Sequence, residues 1–134
     1  MNAAADKPLM GIRVLVVEDD AILALDMVCC LQGAGAETLG PAASLKCALV
    51  MSQEQPLSCG VFDVSLRDEL AFPAAQALRE RGAGIVFYTG YAAIDELKRE
   101  WPDAQVLSKP APSRQIIKAV SAACCASAQN ATAP

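Results

Sequence analysis

The chain contains no histidine, and aromatic residues make up only 4% of its 134 positions. The absence of histidine excludes Ser-His-Asp and Cys-His nucleophiles, histidine-ligated zinc and a role as a phosphohistidine donor. Basic side chains number 11 against 15 acidic ones, which gives a formal net charge of −4. Because no basic excess is present to neutralise a phosphate backbone, nucleic acid is not expected as a partner.

Long hydrophobic runs are also missing from the sequence. No stretch approaches the roughly 18 apolar residues of a membrane-spanning helix, and the N-terminus lacks a basic segment followed by an apolar core. We therefore expect no membrane association and a cytoplasmic protein. Six cysteines occur without a C-x-x-C motif, mostly in apolar stretches, and we interpret them as small buried side chains that stay reduced.

Apolar runs and turn residues alternate regularly along a chain that is long enough for one domain with its own core. The predicted strands span residues 12–17, 37–39, 57–62, 84–88 and 105–107. The predicted helices span residues 21–34, 44–54, 72–81, 92–101 and 113–125. Five strand-helix alternations predict an α/β fold with a parallel sheet and helices on both faces. We expect residues 1–10 to be a flexible lead, 11–125 the domain and 126–134 a small-residue tail.

Polar side chains follow four of the five predicted strands. Glu18 and Asp19 follow the first strand, Asp63 the third, Thr89 the fourth and Lys109 the fifth. Because the carboxyl ends of parallel strands meet at one edge, where ligands bind, these groups should converge. Close carboxylates repel one another unless a cation is supplied, and oxygen ligands of this kind suit Mg²⁺.

A carboxylate beside such a metal can attack phosphorus and form an acyl phosphate. We assign this role to Asp63, which stands alone at the end of a central strand, whereas the acidic pair resembles a metal-holding group. Lys109 and Thr89 would then stabilise phosphoryl oxygens. The predicted metal ligands are Asp19, Glu18 acting through water, Asp63 and the backbone carbonyl of Ser65. Each feature alone also fits a helix cap or a turn, and their joint occurrence favours a site.

Four motifs occur in the order found in response regulator receiver domains: V-V-E-D-D (16–20), F-D-V-S-L (62–66), F-Y-T-G-Y (87–91) and S-K-P (108–110). Residues 11–122 resemble that family. The resemblance implies a flavodoxin-like, doubly wound (βα)5 fold with a five-stranded parallel sheet of order 2-1-3-4-5. It also implies that Asp63 accepts a phosphoryl group from a partner's phosphohistidine. Mg²⁺ would be held by Asp19, Asp63 and the Ser65 carbonyl, and Thr89 and Lys109 would be switch residues beside a cis Lys109–Pro110 bond.

Within this family the chain is similar to the single-domain, FAT GUY-type group, which carries a Phe-Ala-Thr-Gly-hydrophobic-Tyr signature. The similarity rests on A-L-D (24–26), G-P-A-A-S (40–44) and F-Y-T-G-Y (87–91). Tyr88 replaces the alanine of the signature, and Ala92 replaces its final tyrosine. Val106 stands where many receivers have an aromatic switch residue, so Tyr91 is predicted to carry the switch signal.

Only about nine residues follow the predicted last helix, so we expect signalling by protein contact or phosphoryl relay rather than through an output domain. The expected partners are a sensor histidine kinase or histidine phosphotransfer protein and a downstream protein target. Ile22, Leu25 and Cys29 form the predicted docking surface for the kinase or phosphotransfer protein. They lie opposite a helix stripe expected to face the sheet, made of Leu23, Met27, Cys30 and Leu31. Burial of both stripes and self-association as a homodimer are the alternatives.

Three functions follow from these observations. The first is a stand-alone phosphoacceptor switch, which is not an enzyme in the ordinary sense, or a phosphate sink or shuttle in a phosphorelay. The second is an adaptor with a receiver fold that works without phosphorylation. The third is a Mg²⁺-dependent phosphatase, which would need a second acid two residues after the nucleophile, where Ser65 stands.

Overall fold

The computed structural model describes residues 7–54, 56–67, 69–90 and 93–132. Its strands are β1 (Arg13–Val17), β2 (Glu37–Ala42), β3 (Cys59–Phe62), β4 (Ser65–Leu66), β5 (Glu69–Leu70), β6 (Gly84–Thr89) and β7 (Gln105–Ser108). Its helices are α1 (Ala21–Gly33), α2 (Leu45–Ser52), α3 (Phe72–Glu80), α4 (Ile94–Glu100) and α5 (Ser113–Thr132). Strand and helix alternate as the sequence predicts.

Five of the strands form one parallel sheet of order β2-β1-β3-β6-β7. Counted without the small hairpin, this is the predicted order 2-1-3-4-5, and the flavodoxin-like fold is confirmed. The central strands β1, β3 and β6 are almost entirely buried, since helices cover both faces. All five strands run in the same direction, so the residues that follow them lie at one edge.

The sheet separates two hydrophobic layers. On one face, side chains of α2, α3 and α4 pack around an aromatic group made of Phe62, Phe72, Phe87 and Trp101. On the other face, α1 and α5 cover the valines of β1 and β6 through Met27, Leu31, Ile116 and Val120. Both layers bury apolar area, which is the main contribution to the stability of the domain.

Several boundaries differ from the predicted ones for physical reasons. β2 continues through Pro41 to Ala42 because it is an edge strand, where a residue without an N–H is tolerated. α5 continues to Thr132 through an alanine-rich segment that was expected in the tail, since alanine has the highest helix propensity. A hairpin of β4 and β5, with Arg67 at φ 55° in its turn, was not predicted.

The stripe of α1 that faces the sheet consists of Ala24, Met27 and Leu31, and the expectation that Leu23 belongs to it is wrong. Leu23 is 37% exposed because it precedes Ala24 by one position and so lies on the flank of α1, beside the start of α5. Cys30 is half-buried on the same flank.

The expectation that the cysteines are buried holds for Cys59 alone among the six. Cys29, Cys47 and Cys125 are exposed, and Cys30 and Cys124 are half-buried. The apolar stretches that contain these residues are helical, and a helix turns some of its apolar positions toward water. All six are free thiols. Among the described residues, no helix has the length and apolar character required to cross a membrane.

Candidate phosphoacceptor site

The acidic pair lies where β1 gives way to α1. The backbone N–H of Glu18 still donates to Ala42 at the end of β2, which fixes Glu18 in the sheet and buries its side chain. Asp20 then caps α1, since its carboxylate accepts from the N–H groups of Ile22 and Leu23. With Asp20 as the cap, Glu18 and Asp19 remain available at the edge of the sheet.

Residues at the carboxyl ends of β3, β6 and β7 converge on the same point. Lys109 Nζ lies 2.6 Å from Glu18 Oε1 and 3.1 Å from Asp63 Oδ2. Thr89 Oγ1 donates to Asp63 Oδ1 over 3.2 Å. The Lys109–Pro110 peptide is cis. Four side chains that are far apart in the sequence therefore contact one another, with Asp63 at the centre.

The loop after β3 contributes backbone donors. The N–H of Arg67 donates to Asp19 Oδ2 over 2.9 Å, and the N–H of Ser65 donates to Asp63 Oδ1 over 3.4 Å. The contact of Arg67 was not predicted, and no sequence signal reveals it, because every residue except proline carries the same donor. It fixes the side chain of Asp19 beside the hairpin.

Carboxylate oxygens of Glu18, Asp19 and Asp63 all lie within 4.8 Å of one another. Carboxylates are hard oxygen donors, and several on one side of a site suit a divalent cation of the Mg²⁺ or Ca²⁺ type. The donor set therefore fits a divalent metal.

The cluster contains more acidic groups than basic ones. Burial raises the pKa of Glu18 to about 7; the hydrogen bond from Lys109 lowers it and the nearby Asp63 carboxylate raises it further. Burial lowers the pKa of Lys109, but its hydrogen bonds to Glu18 and Asp63 outweigh this effect, so the pKa lies above its ordinary value. One ammonium group thus stays charged beside three acids, and an added cation would relieve the remaining repulsion.

Tyr88 positions the segment that carries Lys109. Its hydroxyl oxygen accepts a hydrogen bond from the N–H of Ala111 over 3.1 Å, and Lys109 Nζ lies 5.7 Å from its ring centre. The sequence marked Tyr88 only as a departure from a signature. A tyrosine immediately before the strand-end threonine was the available signal, since its ring must lie near the same edge.

The remaining predicted residues lie outside this cluster. Tyr91 falls outside the described residues. Ile22 and Leu25 are 74% and 62% exposed on α1, and Cys29 is exposed beside them. These three side chains form an apolar surface next to the site, because α1 begins directly after the acidic pair.

Together these features define a flavodoxin-like α/β domain with a carboxylate-lysine-threonine site at the carboxyl edge of its sheet. No protein-family model and no curated protein matches the sequence. Solved structures do. A response regulator receiver protein from Sinorhizobium medicae WSM419 is 29% identical, with a TM-score of 0.78 over 87% of this chain and 96% of that one.

Two further structures are similar in fold. A CheY-like receiver domain protein from Methanospirillum hungatei JF-1 is 20% identical, with a TM-score of 0.77 over 89% of this chain and 98% of that one. A response regulator from Burkholderia pseudomallei, solved with a phosphorylated aspartic acid, a calcium ion and citrate, is 20% identical, with a TM-score of 0.70 over 90% of this chain and 73% of that one. The predicted resemblance to response regulator receiver domains is confirmed over most of the chain.

Proposed function

We propose that this protein is a phosphoacceptor switch of a two-component pathway, with residues 11–125 as the receiver unit and Asp63 as the acceptor. The observation that carries the proposal is the position of Asp63. One carboxylate oxygen contacts Thr89 Oγ1 and the other contacts Lys109 Nζ, while Glu18 and Asp19 lie alongside. We propose a cytoplasmic location, where a histidine kinase or histidine phosphotransfer protein would supply the phosphoryl group.

The transfer requires little covalent chemistry from other residues. A carboxylate oxygen of Asp63 attacks phosphorus, an acyl phosphate bond forms, and the P–N bond of the donor's phosphohistidine breaks, leaving the electron pair on the imidazole nitrogen. The ammonium group of Lys109 stabilises the negative charge of one phosphoryl oxygen, and Thr89 donates a hydrogen bond to another. When held by Glu18, Asp19, Asp63 and the Ser65 carbonyl, Mg²⁺ supplies further positive charge beside these oxygens.

Thr89 is the residue through which phosphorylation of Asp63 would change the protein surface at the end of β6. Its hydroxyl donates to Asp63 in the present structure, and a phosphoryl group on Asp63 would compete for that donor. Rotation of Thr89 toward the phosphoryl group would alter the packing at the end of β6, directly before Tyr91. We assign the switch to Thr89 and Tyr91 on this basis.

The proposal is tested by intact mass after incubation with a small phosphodonor such as phosphoramidate. We expect one phosphoryl group per chain with Mg²⁺ and none with a chelator. Asp63→Asn should abolish the addition, whereas Asp95→Asn, at an exposed aspartate of α4, should leave it intact. Phosphorylation of the Asp63→Asn variant to the wild-type level would overturn the assignment. Full activity of that variant in cells would instead support a phosphorylation-independent adaptor.

The apolar surface of Ile22, Leu25 and Cys29 is the proposed contact for the phosphodonor protein. It adjoins Asp63 through the turn from β1 to α1, so a partner resting on it would have its phosphohistidine near the acceptor. The exposed apolar area is the type of surface that partners bury. Use of the same surface in a homodimer is the competing outcome.

We expect Leu25→Asp to reduce phosphotransfer from a cognate kinase at least tenfold while leaving phosphorylation by phosphoramidate unchanged. A charge placed in an apolar contact must be desolvated when the partner binds. The matched control is Val50→Asp, since Val50 is 60% exposed but lies on α2, across the sheet. Undiminished transfer to Leu25→Asp would refute the docking assignment, and a loss of dimer in size-exclusion chromatography would favour self-association.

A further inference from the structure

Two thiols meet where the last helix packs on the central strand. Cys59 is the first residue of β3 and is fully buried, and Cys124 lies half-buried on α5. Both side chains belong to the hydrophobic layer between α5 and the sheet. Cys124 Sγ also lies 3.9 Å from the carbonyl oxygen of Ser58, the residue before Cys59. The pair lies near the amino end of β3, at the opposite end of this strand from Asp63.

The close approach is set by the backbone. Gly84 in β6 pairs with Cys59 across the sheet. A Cβ added to Gly84 would lie 2.4 Å from the carbonyl oxygen of Ala123, so α5 rests directly on the strand at this point. Cys124 is the next residue of the helix. Cys59 and Cys124 are therefore carried by elements of secondary structure that pack directly on each other, which restricts the separation of the two thiols.

The two thiols differ in acidity and in exposure to solvent. The neighbouring thiol of Cys59 lowers the pKa of Cys124, whereas the neighbouring thiol of Cys124, together with complete burial, raises the pKa of Cys59. Because the thiolate is the reactive form of cysteine, Cys124 is the more nucleophilic member of the pair. It is also the member that solvent reaches. The pair thus has a half-buried attacking thiol and a fully buried partner.

We propose that Cys59 and Cys124 form an oxidation-sensitive dithiol that hydrogen peroxide converts into an intramolecular disulfide joining α5 to β3. This is a modification site separate from the phosphoacceptor site. In the first step the Cys124 thiolate attacks a peroxide oxygen, the O–O bond breaks, and the leaving hydroxide takes up a proton to become water. Cys124 becomes a sulfenic acid.

In the second step the sulfur of Cys59 attacks the sulfur of Cys124, and the S–O bond of the sulfenic acid breaks. The departing hydroxide combines with the thiol proton of Cys59 and leaves as a second water. The two sulfurs together lose two electrons, and one peroxide is reduced to two waters. A thiol reductant such as dithiothreitol reverses the bond by exchange.

The experiment treats the full chain with hydrogen peroxide, blocks the remaining thiols with an alkylating agent in denaturant, and maps the peptides by mass spectrometry. We expect one linked peptide pair that joins Cys59 to Cys124 and disappears after reduction. A matched control is Cys125→Ser, which removes the exposed neighbour of Cys124 on the same helix and should leave the link unchanged. Cys59→Ser should accumulate the sulfenic acid of Cys124, detected as a dimedone adduct.

The wild-type map decides the outcome even if Cys59→Ser fails to fold, and Cys59→Ala provides a second variant without a polar group in the buried site. Quantitative alkylation of Cys59 after Cys124 has been oxidised would overturn the proposal. A link between two chains, or between Cys124 and any other cysteine in place of Cys59, would also overturn it. Because Cys59 and Cys124 lie away from the acceptor, Asp63→Asn should form the link at the wild-type rate, which separates this result from the phosphorylation test.

Discussion

Glu18 is the residue on which the electrostatics of the acidic site depend. It is buried at the end of β1, with Lys109 Nζ 2.6 Å from one of its carboxylate oxygens. Burial nevertheless raises its pKa to about 7. A buried carboxylate that titrates near neutral pH holds a proton in part of the population, and a bound cation must displace that proton. Cation binding and protonation at this residue are therefore linked.

We expect the apparent affinity for Mg²⁺ to increase as pH rises from about 6 to about 7, by at most about tenfold per pH unit, and to level off above that range. The sign follows from the raised pKa of Glu18, because the folded protein without metal binds a proton below about pH 7 that the metal complex releases. Isothermal titration calorimetry at several pH values, in buffers of different ionisation enthalpy, measures both the affinity and the proton release.

Glu18→Gln is the variant that tests this linkage. It keeps the shape of the side chain but cannot titrate, so the affinity should be weaker and the dependence on pH between 6 and 7 should flatten. Asp20→Asn is the control, since Asp20 caps α1 and lies outside the metal cluster. A pH dependence in Glu18→Gln as steep as that of the wild type would assign the proton to another group.

At the residue scale, the sequence revealed the side chains of the site but not its backbone. Asp63, Thr89 and Lys109 could be recognised because each is a polar residue directly after an apolar strand. The N–H of Arg67 that holds Asp19 could not be recognised, since its role depends on the path of a loop. The exposure of Leu23 could not be predicted from the sequence for a related reason. Helical spacing places Leu23 and Ala24 near the same stripe, and only the packing decides between them.

At the scale of elements, the packing of α5 on β6 depends on a glycine in the strand. Gly84 faces the backbone of Ala123 so closely that any Cβ would meet the helix carbonyl. An atom in that position must push the helix from the sheet or distort the strand, since well-packed interiors have no spare volume. The orientation of α5, which begins just after Lys109–Pro110, is fixed by this contact.

We expect Gly84→Ala to lower the free energy of unfolding by about 1–3 kcal/mol, through overpacking against the backbone of α5. Gly33→Ala is the matched control, because a Cβ there has no neighbour within 4 Å, and it should raise stability by about 0.5–1 kcal/mol through its higher helix propensity. Urea denaturation followed by circular dichroism measures both values. Equal stability of the two variants would contradict the tight contact between α5 and β6.

The elements themselves were largely predictable, and their ends were less so. Periodicity and turn residues located five strands and five helices, because each apolar run is bounded by glycine, proline or a capping residue. Pro41 was interpreted as the end of a strand, but an edge position allowed β2 to continue. The hairpin of β4 and β5 has two residues in each strand, which is too short to produce a recognisable alternation.

At the scale of the whole molecule, the order of strands in the sheet turns a scattered set of residues into one site. β1, β3, β6 and β7 are parallel, and β3 lies between β1 and β6. Asp63 is therefore flanked by the acidic pair on one side and Thr89 on the other, with Lys109 one strand beyond. The two hydrophobic layers hold this arrangement from both faces. Alternation of strands and helices predicted the parallel sheet, but the strand order came only from the resemblance to a family, since local sequence does not determine which strands pair.

The proposed function requires that Asp63 is the residue that becomes phosphorylated. Reduction with borohydride tests it most directly, because it converts an aspartyl phosphate into homoserine and leaves a free carboxylate unchanged. After incubation with phosphoramidate and Mg²⁺, followed by borohydride and peptide sequencing by mass spectrometry, we expect homoserine at position 63 and at no other aspartate. Homoserine at Asp19 or Asp20, or its absence from position 63 in a sample whose intact mass shows the phosphoryl group, would refute the assignment of Asp63 as the acceptor.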